Sequence, residues 1–382
     1  MESFVYYNPT RILFGRGMTS KLGAYIPAKA RVLVLYGGGS VMKNGAYTAA
    51  KAALGKRKSV DFGGIEPNPE YETCMKAIEL MKKQKLDFIL AIGGGSVIDA
   101  AKFIAAGFFM KSPWNILEKG AKIKKALPIA CVLTLSATGS ESNINSVISR
   151  RKRTMKLAFA SEKVYPVVSV LDPAFQATLP LRQTINGIVD SFVHVLEQYL
   201  TYPVNSPLQD GFAEAILNTL KLEAPKILKR PNDADARANI MLSSTLALNG
   251  LIACGVPQDW STHAIGHELT AIYGIDHAQS LAIVAPKLLE VECAYKRNKI
   301  VQMGKNVFGV CTKDKRLAAK ETIAKLKKFF VDVGIKVELS DYGIDKKQAA
   351  KAVSENLVRI KHLPLGEHRD IDAKKVVKIL LK

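Results

Sequence analysis

"DFILAIGGGSVIDAAKFIAA", residues 87–106, decides how the first half of the chain folds. The apolar run 87–92 has no polar partner alternating with it, so both faces of a strand here would be covered, as in a parallel sheet. Four small residues, Gly93-Gly94-Gly95-Ser96, then lead directly into a helical pattern. Three further runs share this character: "ARVLVLY" (30–36), "PIACVLTL" (128–135) and "VVSVLD" (167–172). Helical patterns separate them, which predicts a parallel sheet with helices on each face.

After "DPAFQATLP" (172–180) the strand signals stop, and helical patterns cover 183–200, 209–229, 233–254 and 258–272 and continue to the C-terminus. The reading is an α/β domain over 1–180 and an all-helical domain over 181–382, with a cleft between them as the place for chemistry. A chain of 382 residues is long enough for two domains.

The formal net charge of +21 attracts phosphate. Its lysines, however, are spread over solvated helix faces such as "KKQK" (82–85), "KIKK" (122–125) and "KK" (327–328), which suits a small anionic ligand better than a nucleic acid. Five cysteines without paired spacing predict free thiols in a reducing cytoplasm. "MESFVYYNPTRILFG" (1–15) has no continuous apolar stretch of a signal peptide. The uncharged run 238–258 contains Asn239, Ser243, Ser244, Thr245, Asn249 and Gly250, which are poorly placed in hydrocarbon; a buried helix is expected, not a membrane span.

Gly37-Gly38-Gly39-Ser40 follows the run 30–36 just as Gly93-Gly94-Gly95-Ser96 follows 87–92. Glycines let the backbone approach a phosphate, and the N–H groups opening a helix point at it. "TLSATGSESN" (134–143) leaves a third strand in the same sense, so three small-residue turns open on one sheet edge. This predicts a dinucleotide site. No acid follows the first strand until Asp61, so no carboxylate is at hand for a ribose 2′-hydroxyl, and NADP(H) is favoured. Ser40 and Lys43 are candidates for the 2′-phosphate.

Three of six histidines fall within "HAIGHELTAIYGIDH" (263–277). His263 and His267, four apart, share a helix face. On an unbroken helix His277 would lie about 21 Å beyond His263, so "YGID" (273–276) must turn the chain back if the two are to meet. "NGIVDSFVHVLEQYL" (186–200) places Asp190 and His194 four apart amid apolar residues. A carboxylate buried there needs a positive partner. A divalent cation held by Asp190, His194 and two of the later histidines meets that need, and an oxygen-plus-imidazole set suits Fe²⁺ or Zn²⁺.

The chain resembles the iron-containing (group III) alcohol dehydrogenases and, within them, the branch of NADPH-dependent broad-range aldehyde reductases and butanol dehydrogenases. The resemblance runs from "NPTRILFGRG" through "YGGGSV", "FGGIEPNP", "AIGGGSVIDAAKFI", "LTLSATGSESN", "VLDP", "NGIVDSFVH" and "GVPQDWSTHAIGHELTAIYGIDHAQSLAIV" to "LSDYGI". It implies a Rossmann-like, dehydroquinate-synthase-like N-terminal domain, an all-α C-terminal domain and a homodimer, with "SFVYYNPTRILFG" (3–15) as a possible edge partner. It also implies metal ligands at Asp190, His194, His263 and His277, with His267 beside the nicotinamide as the catalytic histidine. For the cofactor it points to Gly38, Asn68, Gly94, Gly95, Ser96, Thr134, Thr138, Asn145 and Lys156. Gly38 stands where NAD-preferring members carry an aspartate.

Ala278 replaces the family's usual glycine, and "TGSESN" its usual threonine-containing version. The implied reaction is reversible hydride transfer between NADP(H) and an aldehyde/alcohol pair, chiefly reduction. Trp260 and Trp114 either line the cleft or are large core side chains. Two other functions fit the same architecture: a metal-dependent sugar-phosphate cyclase, which would want converging basic residues and usually a glutamate as first ligand, and a nucleotide-binding sensor without catalysis.

Overall fold

Six strands lie parallel in one sheet: β1 (Arg11–Phe14), β2 (Val32–Tyr36), β3 (Ser59–Phe62), β4 (Phe88–Gly93), β5 (Ile129–Leu133) and β8 (Val168–Leu171). Their order across the sheet is β1-β8-β5-β4-β2-β3. The four strands read from apolar runs are all present, and their side chains are almost wholly buried, as strands covered on both faces require. β1 and β3 were not anticipated as members of this sheet. Each is four residues long at an edge, so half its surface is wet and its apolar signal is weak.

β6 (Asn145–Arg150) and β7 (Met155–Ala160) form a separate antiparallel hairpin, also unanticipated, whose tip carries Arg151–Arg153. The intervening helices are α1 (Ser40–Lys43), α2 (Ala46–Leu54), α3 (Tyr71–Gln84), α4 (Gly95–Gly107) and α5 (Asn115–Glu118).

Nine more helices follow: α6 (Leu181–Tyr199), α7 (Pro207–Lys229), α8 (Ala234–Ala247), α9 (Ser261–Tyr273), α10 (His277–Val291), α11 (Cys293–Phe308), α12 (Lys315–Asp332), α13 (Lys346–Arg359) and α14 (Ala373–Leu381). None is long and apolar enough to cross a membrane. The uncharged run 238–258 is not one helix: α8 ends at Ala247, and the chain continues in turns, with Gly250 and Gly255 at positive φ.

The computed structural model describes all 382 residues, in two compact units that are not contiguous in sequence. One comprises Tyr7–Thr184 with Arg230–Asn249, the other Met1–Tyr6, Ile185–Lys229 and Gly250–Lys382. Relative to domains 1–180 and 181–382, α8 therefore sits with the sheet and the first six residues with the helices. Buried polar groups explain the first exchange. The turn leaving β5 buries Glu141 and Asn143, and these are satisfied by α8 and its end: Thr245 Oγ1 donates to Glu141 Oε1 at 2.6 Å, and Asn143 Nδ2 donates to Leu248 O at 3.1 Å. At the N-terminus, Glu2 N donates to Gly255 O at 3.0 Å.

Candidate metal centre and nucleotide edge

The ligand candidates come from three helices of the helical unit. α6 presents Asp190 and His194, both almost fully buried. α9 presents His263 and His267 and stops at Tyr273, where Gly274 takes the left-handed conformation (φ 71°) and its N–H caps Thr270 O. α10 then begins at His277 itself, with Asn186 of α6 donating to Asp276 Oδ2 at 2.9 Å just before it. α10 can fold back closely because residue 266 has no side chain: a Cβ there would meet Leu281 Cδ2 at 2.9 Å and Ser280 Oγ at 3.0 Å. The glycine in "HAIGH" thus lets the third histidine return to the first.

Asp190 Oδ1 lies 3.6 Å from His194 Nε2, 3.7 Å from His263 Nε2 and 3.7 Å from His277 Nε2. The ligand atoms of Asp190, His263 and His277 all lie within 4.8 Å of one another, and the His194 ring stacks on His263 at 4.6 Å. These separations are too long for hydrogen bonds. They suit a shared cation, since bonds of about 2.0–2.2 Å set ligand atoms about 3.3–3.6 Å apart around a tetrahedral ion. His263 Nε2 is buried without a hydrogen-bond partner, an atom whose lone pair a cation would satisfy.

The other nitrogen of His263 is engaged. Nδ1 meets Glu197 Oε2 in a short contact, and Glu197 Oε1 accepts from Thr262 N at 2.5 Å. A carboxylate holding the far N–H of a ligating imidazole fixes its tautomer and raises its basicity. Burial alone would lower the His263 pKa, but the Glu197 charge, seconded by Asp190, outweighs it and raises the value to about 9. Two buried carboxylates thus make the pocket select positive charge.

Glu197 was not singled out from sequence; the available signal was a third ionisable residue, after Asp190 and three beyond His194, in the same apolar stretch. His267 stands beside the set, its ring 4.9 Å from His277 and 6.2 Å from His263. Trp260, held by an Nε1 hydrogen bond to Gln258 Oε1, packs 5.3 Å from His263 and 6.1 Å from His194. Trp114 belongs instead to the core of the sheet unit, edge-on to Tyr71 at 5.2 Å and below the Arg150 guanidinium.

In the sheet unit, β2 and β4 are neighbours, with Tyr36 opposite Ile92. The chain turns to β3 on one side of them and β5 on the other, so their carboxyl ends form a topological switch point, where ligands of such sheets bind. Gly38 and Ser40 leave β2 there, and Gly94, Gly95 and Ser96 leave β4. Thr134 joins them through its N–H to Gly93 O at 3.0 Å. Asn68 lies alongside, its N donating to Ser96 Oγ at 3.3 Å.

Thr138 packs against Gly95, where a Cβ would come within 2.4 Å of its Oγ1. At Gly38 a Cβ meets nothing within 4 Å, leaving a cradle open to a ligand. Asn145 and Lys156 lie on the hairpin; Lys156 pairs with Ser149 in its register, and Asn145 O accepts from Lys102 Nζ at 2.8 Å.

The helix behind this edge carries an unanticipated buried pair. Asp99 accepts from Ser140 Oγ at 2.5 Å and Val147 N at 2.9 Å. Burial raises the Asp99 pKa against the lowering effect of Lys102, and burial lowers the Lys102 pKa to about 8. Together they hold the β5 exit and the hairpin against α4. Asp61, the first acid after β2, is engaged elsewhere: Tyr47 OH donates to Oδ2 at 2.9 Å, and Lys51 Nζ lies 3.3 Å from Oδ1.

Known proteins resemble this chain in sequence and fold. The chain is 50% identical, over 97% of its own length and 97% of the relative's, to the NADPH-dependent aldehyde reductase YqhD of Escherichia coli. It is 39% identical to NADH-dependent butanol dehydrogenase A of Clostridium acetobutylicum, with all of both chains covered. The crystal structure of E. coli YqhD superposes with a TM-score of 0.98 at 48% identity, covering 100% of this chain and 98% of that one. A butanol dehydrogenase A structure from Thermotoga maritima gives 0.95 at 37% identity, with 100% and 98% covered. Residues 9–173 match the model "iron-containing alcohol dehydrogenase" and residues 184–382 that of the "Fe-containing alcohol dehydrogenase family, C-terminal". With both models matched in order along nearly its whole length, the chain belongs to the iron-containing alcohol dehydrogenase family.

Proposed function

We propose that this protein is an NADPH-dependent aldehyde reductase with one divalent cation per chain. The observation that carries the reading is the gathering of the ligand atoms of Asp190, His263 and His277 within 4.8 Å of one another, with His194 Nε2 3.6 Å from Asp190 Oδ1 and the Nε2 of His263 buried and unsatisfied. When bound, the cation supplies Lewis acidity toward a carbonyl oxygen and the reduced nicotinamide supplies the hydride. The four side chains hold the cation, and Glu197 keeps the proton of His263 on Nδ1 so that Nε2 faces inward. His267, as the imidazolium, would give up a ring N–H proton to the product oxygen directly or through a water it orders, returning to neutral imidazole.

Backbone N–H groups at the start of α4, Ser96 and the open backbone at Gly38 hold the phosphates, Ser40 and Lys43 the 2′-phosphate, and Asn68, Thr134, Thr138, Asn145 and Lys156 the remainder of the cofactor. Support for NADPH comes from the engagement of Asp61 by Tyr47 and Lys51, from the absence of any acid between β2 and Asp61 in the sequence, and from the cofactor named for the YqhD relative. Purified protein is expected to oxidise NADPH on addition of butanal and to contain one equivalent of iron or zinc. Metal-free protein with full turnover, or no NADPH consumption with any short aldehyde, refutes the assignment and returns the cyclase and sensor readings.

The enzyme works as a homodimer in the cytoplasm. All five cysteines are free, consistent with a reducing compartment. β1 pairs only with β8, leaving its other edge open, and Phe4, Val5, Tyr6, Tyr7 and Phe14 are exposed nearby in sequence. Gel filtration at two concentrations is expected to give twice the 41.7 kDa chain mass at both. A monomer at both overturns this.

A further inference from the structure

Lys296 of α11 is 4% exposed, yet no part of the metal centre touches it. Its Nζ donates to Leu200 O at 2.8 Å, the residue after α6, and meets Asp259 Oδ2 at 2.7 Å and Glu367 Oε1 and Oε2 at 2.7 and 2.8 Å. Asp259 in turn ties down the start of α9: its Oδ1 accepts from Ser261 N at 2.9 Å and from Ser261 Oγ in a shorter contact. Asp259 N donates to Glu197 O at 2.9 Å, back on α6. One ammonium therefore reaches the C-terminal end of the helix that carries Asp190, His194 and Glu197. Through Asp259 it also reaches the first turn of the helix that carries His263 and His267.

A buried ionic cluster is weak evidence for stability, because apolar side chains of similar volume serve as well or better; its best-attested use is to set register. Here the register at stake is specific. One residue of slip along α9 moves His263 about 1.5 Å and about 100° around the helix axis, away from both Glu197 and Asp190.

We infer that Lys296 and Asp259 are positioning residues of the metal centre, locking α9 against α6 so that His263 is presented to Asp190 and Glu197 together. The inference rests on the metal reading above. Glu367 plays the lesser part. Burial raises its pKa to about 7 even beside Lys296, so an amide is a close substitute.

The test is Co²⁺ titration of chelator-stripped protein, read by the cobalt absorption bands and by competition with a chelator. Asp259→Asn leaves a hydrogen-bond acceptor for Ser261 but removes the charge that holds Lys296. It is expected to raise the Co²⁺ dissociation constant about 10–100-fold, the usual size of an outer-shell effect, and to shift the bands. Glu367→Gln is expected to leave both close to wild type.

Lys299→Met, one turn further along α11 at similar burial, removes a buried ammonium that pairs with Asp210 instead. It is expected to lower the melting temperature without changing Co²⁺ affinity. Should Asp259→Asn fail to fold, Lys296→Gln takes its place in the same titration. Wild-type Co²⁺ affinity and bands in these variants, or equal weakening by Lys299→Met, overturns the inference. A wild-type protein that takes up no Co²⁺ overturns the metal reading beneath it.

Discussion

Replacing His263 with Ala is expected to abolish butanal-dependent NADPH oxidation while leaving NADPH binding, followed by cofactor fluorescence, near the wild-type value. The two effects separate because His263 lies in the helical unit, whereas the glycine turns and the predicted nucleotide residues lie in the sheet unit. Lewis-acid stabilisation of a developing alkoxide is worth several kcal/mol, so a loss of about 10³-fold or more in kcat/KM is the scale to expect at about 1.4 kcal/mol per tenfold.

Glu197→Gln, which keeps the shape but removes the charge facing Nδ1, should weaken metal affinity by about 10–100-fold and leave some activity at saturating metal. The wild-type protein stripped by a chelator should melt lower, and an excess of 100 times the dissociation constant should restore about 2.7 kcal/mol. Undiminished turnover by His263→Ala would remove the cation from the reaction.

Gly38→Asp is expected to reverse the cofactor preference. A carboxylate at the end of β2 accepts the ribose 2′-hydroxyl of NADH and repels a 2′-phosphate. Like charges set together cost several kcal/mol, which translates to about 10²–10³-fold in kcat/KM for NADPH at about 1.4 kcal/mol per tenfold. The backbone accepts the change, since an added Cβ meets nothing within 4 Å and Gly38, unlike Gly39 at φ 95°, is not left-handed.

Asp61→Asn is the control: Tyr47 and Lys51 already hold that carboxylate, so cofactor preference should not move. Relatives with either cofactor are known. YqhD is NADPH-dependent and butanol dehydrogenase A NADH-dependent, although this chain matches nearly all of each. A Gly38→Asp enzyme that keeps its preference for NADPH would place the discrimination elsewhere, with Lys43 the next residue to replace.

The buried strands were legible because a run such as 87–92 is apolar on both faces and so has only one environment available. Edge strands and the β6–β7 hairpin were not, for each is half-wet and polar enough to pass for loop. Asp190 and His194 declared themselves as ionisable groups in an apolar helix. Glu197 did not, because glutamate is common in helices and its meaning depends on His263, 66 residues away. Lys296 and Glu367 were silent for the same reason, 71 residues apart and unremarkable alone. Trp114, readable from sequence as either a cleft or a core residue, proved to be core because its neighbours Tyr71 and Arg150 come from other elements.

Local chemistry thus determined, from sequence alone, which residue types had to be buried, where the backbone must turn on glycine, and that a carboxylate in α6 needed a positive partner. Tertiary structure decided which side chains gather into a candidate cation site, which carboxylate meets His263, and that α8 serves the sheet rather than the helices around it in sequence. The division follows from the range of the forces: patterning and turn preference act over a few residues, whereas a ligand set, a hydrogen bond or a buried ion pair exists only after the folded backbone has brought distant side chains within a few ångströms.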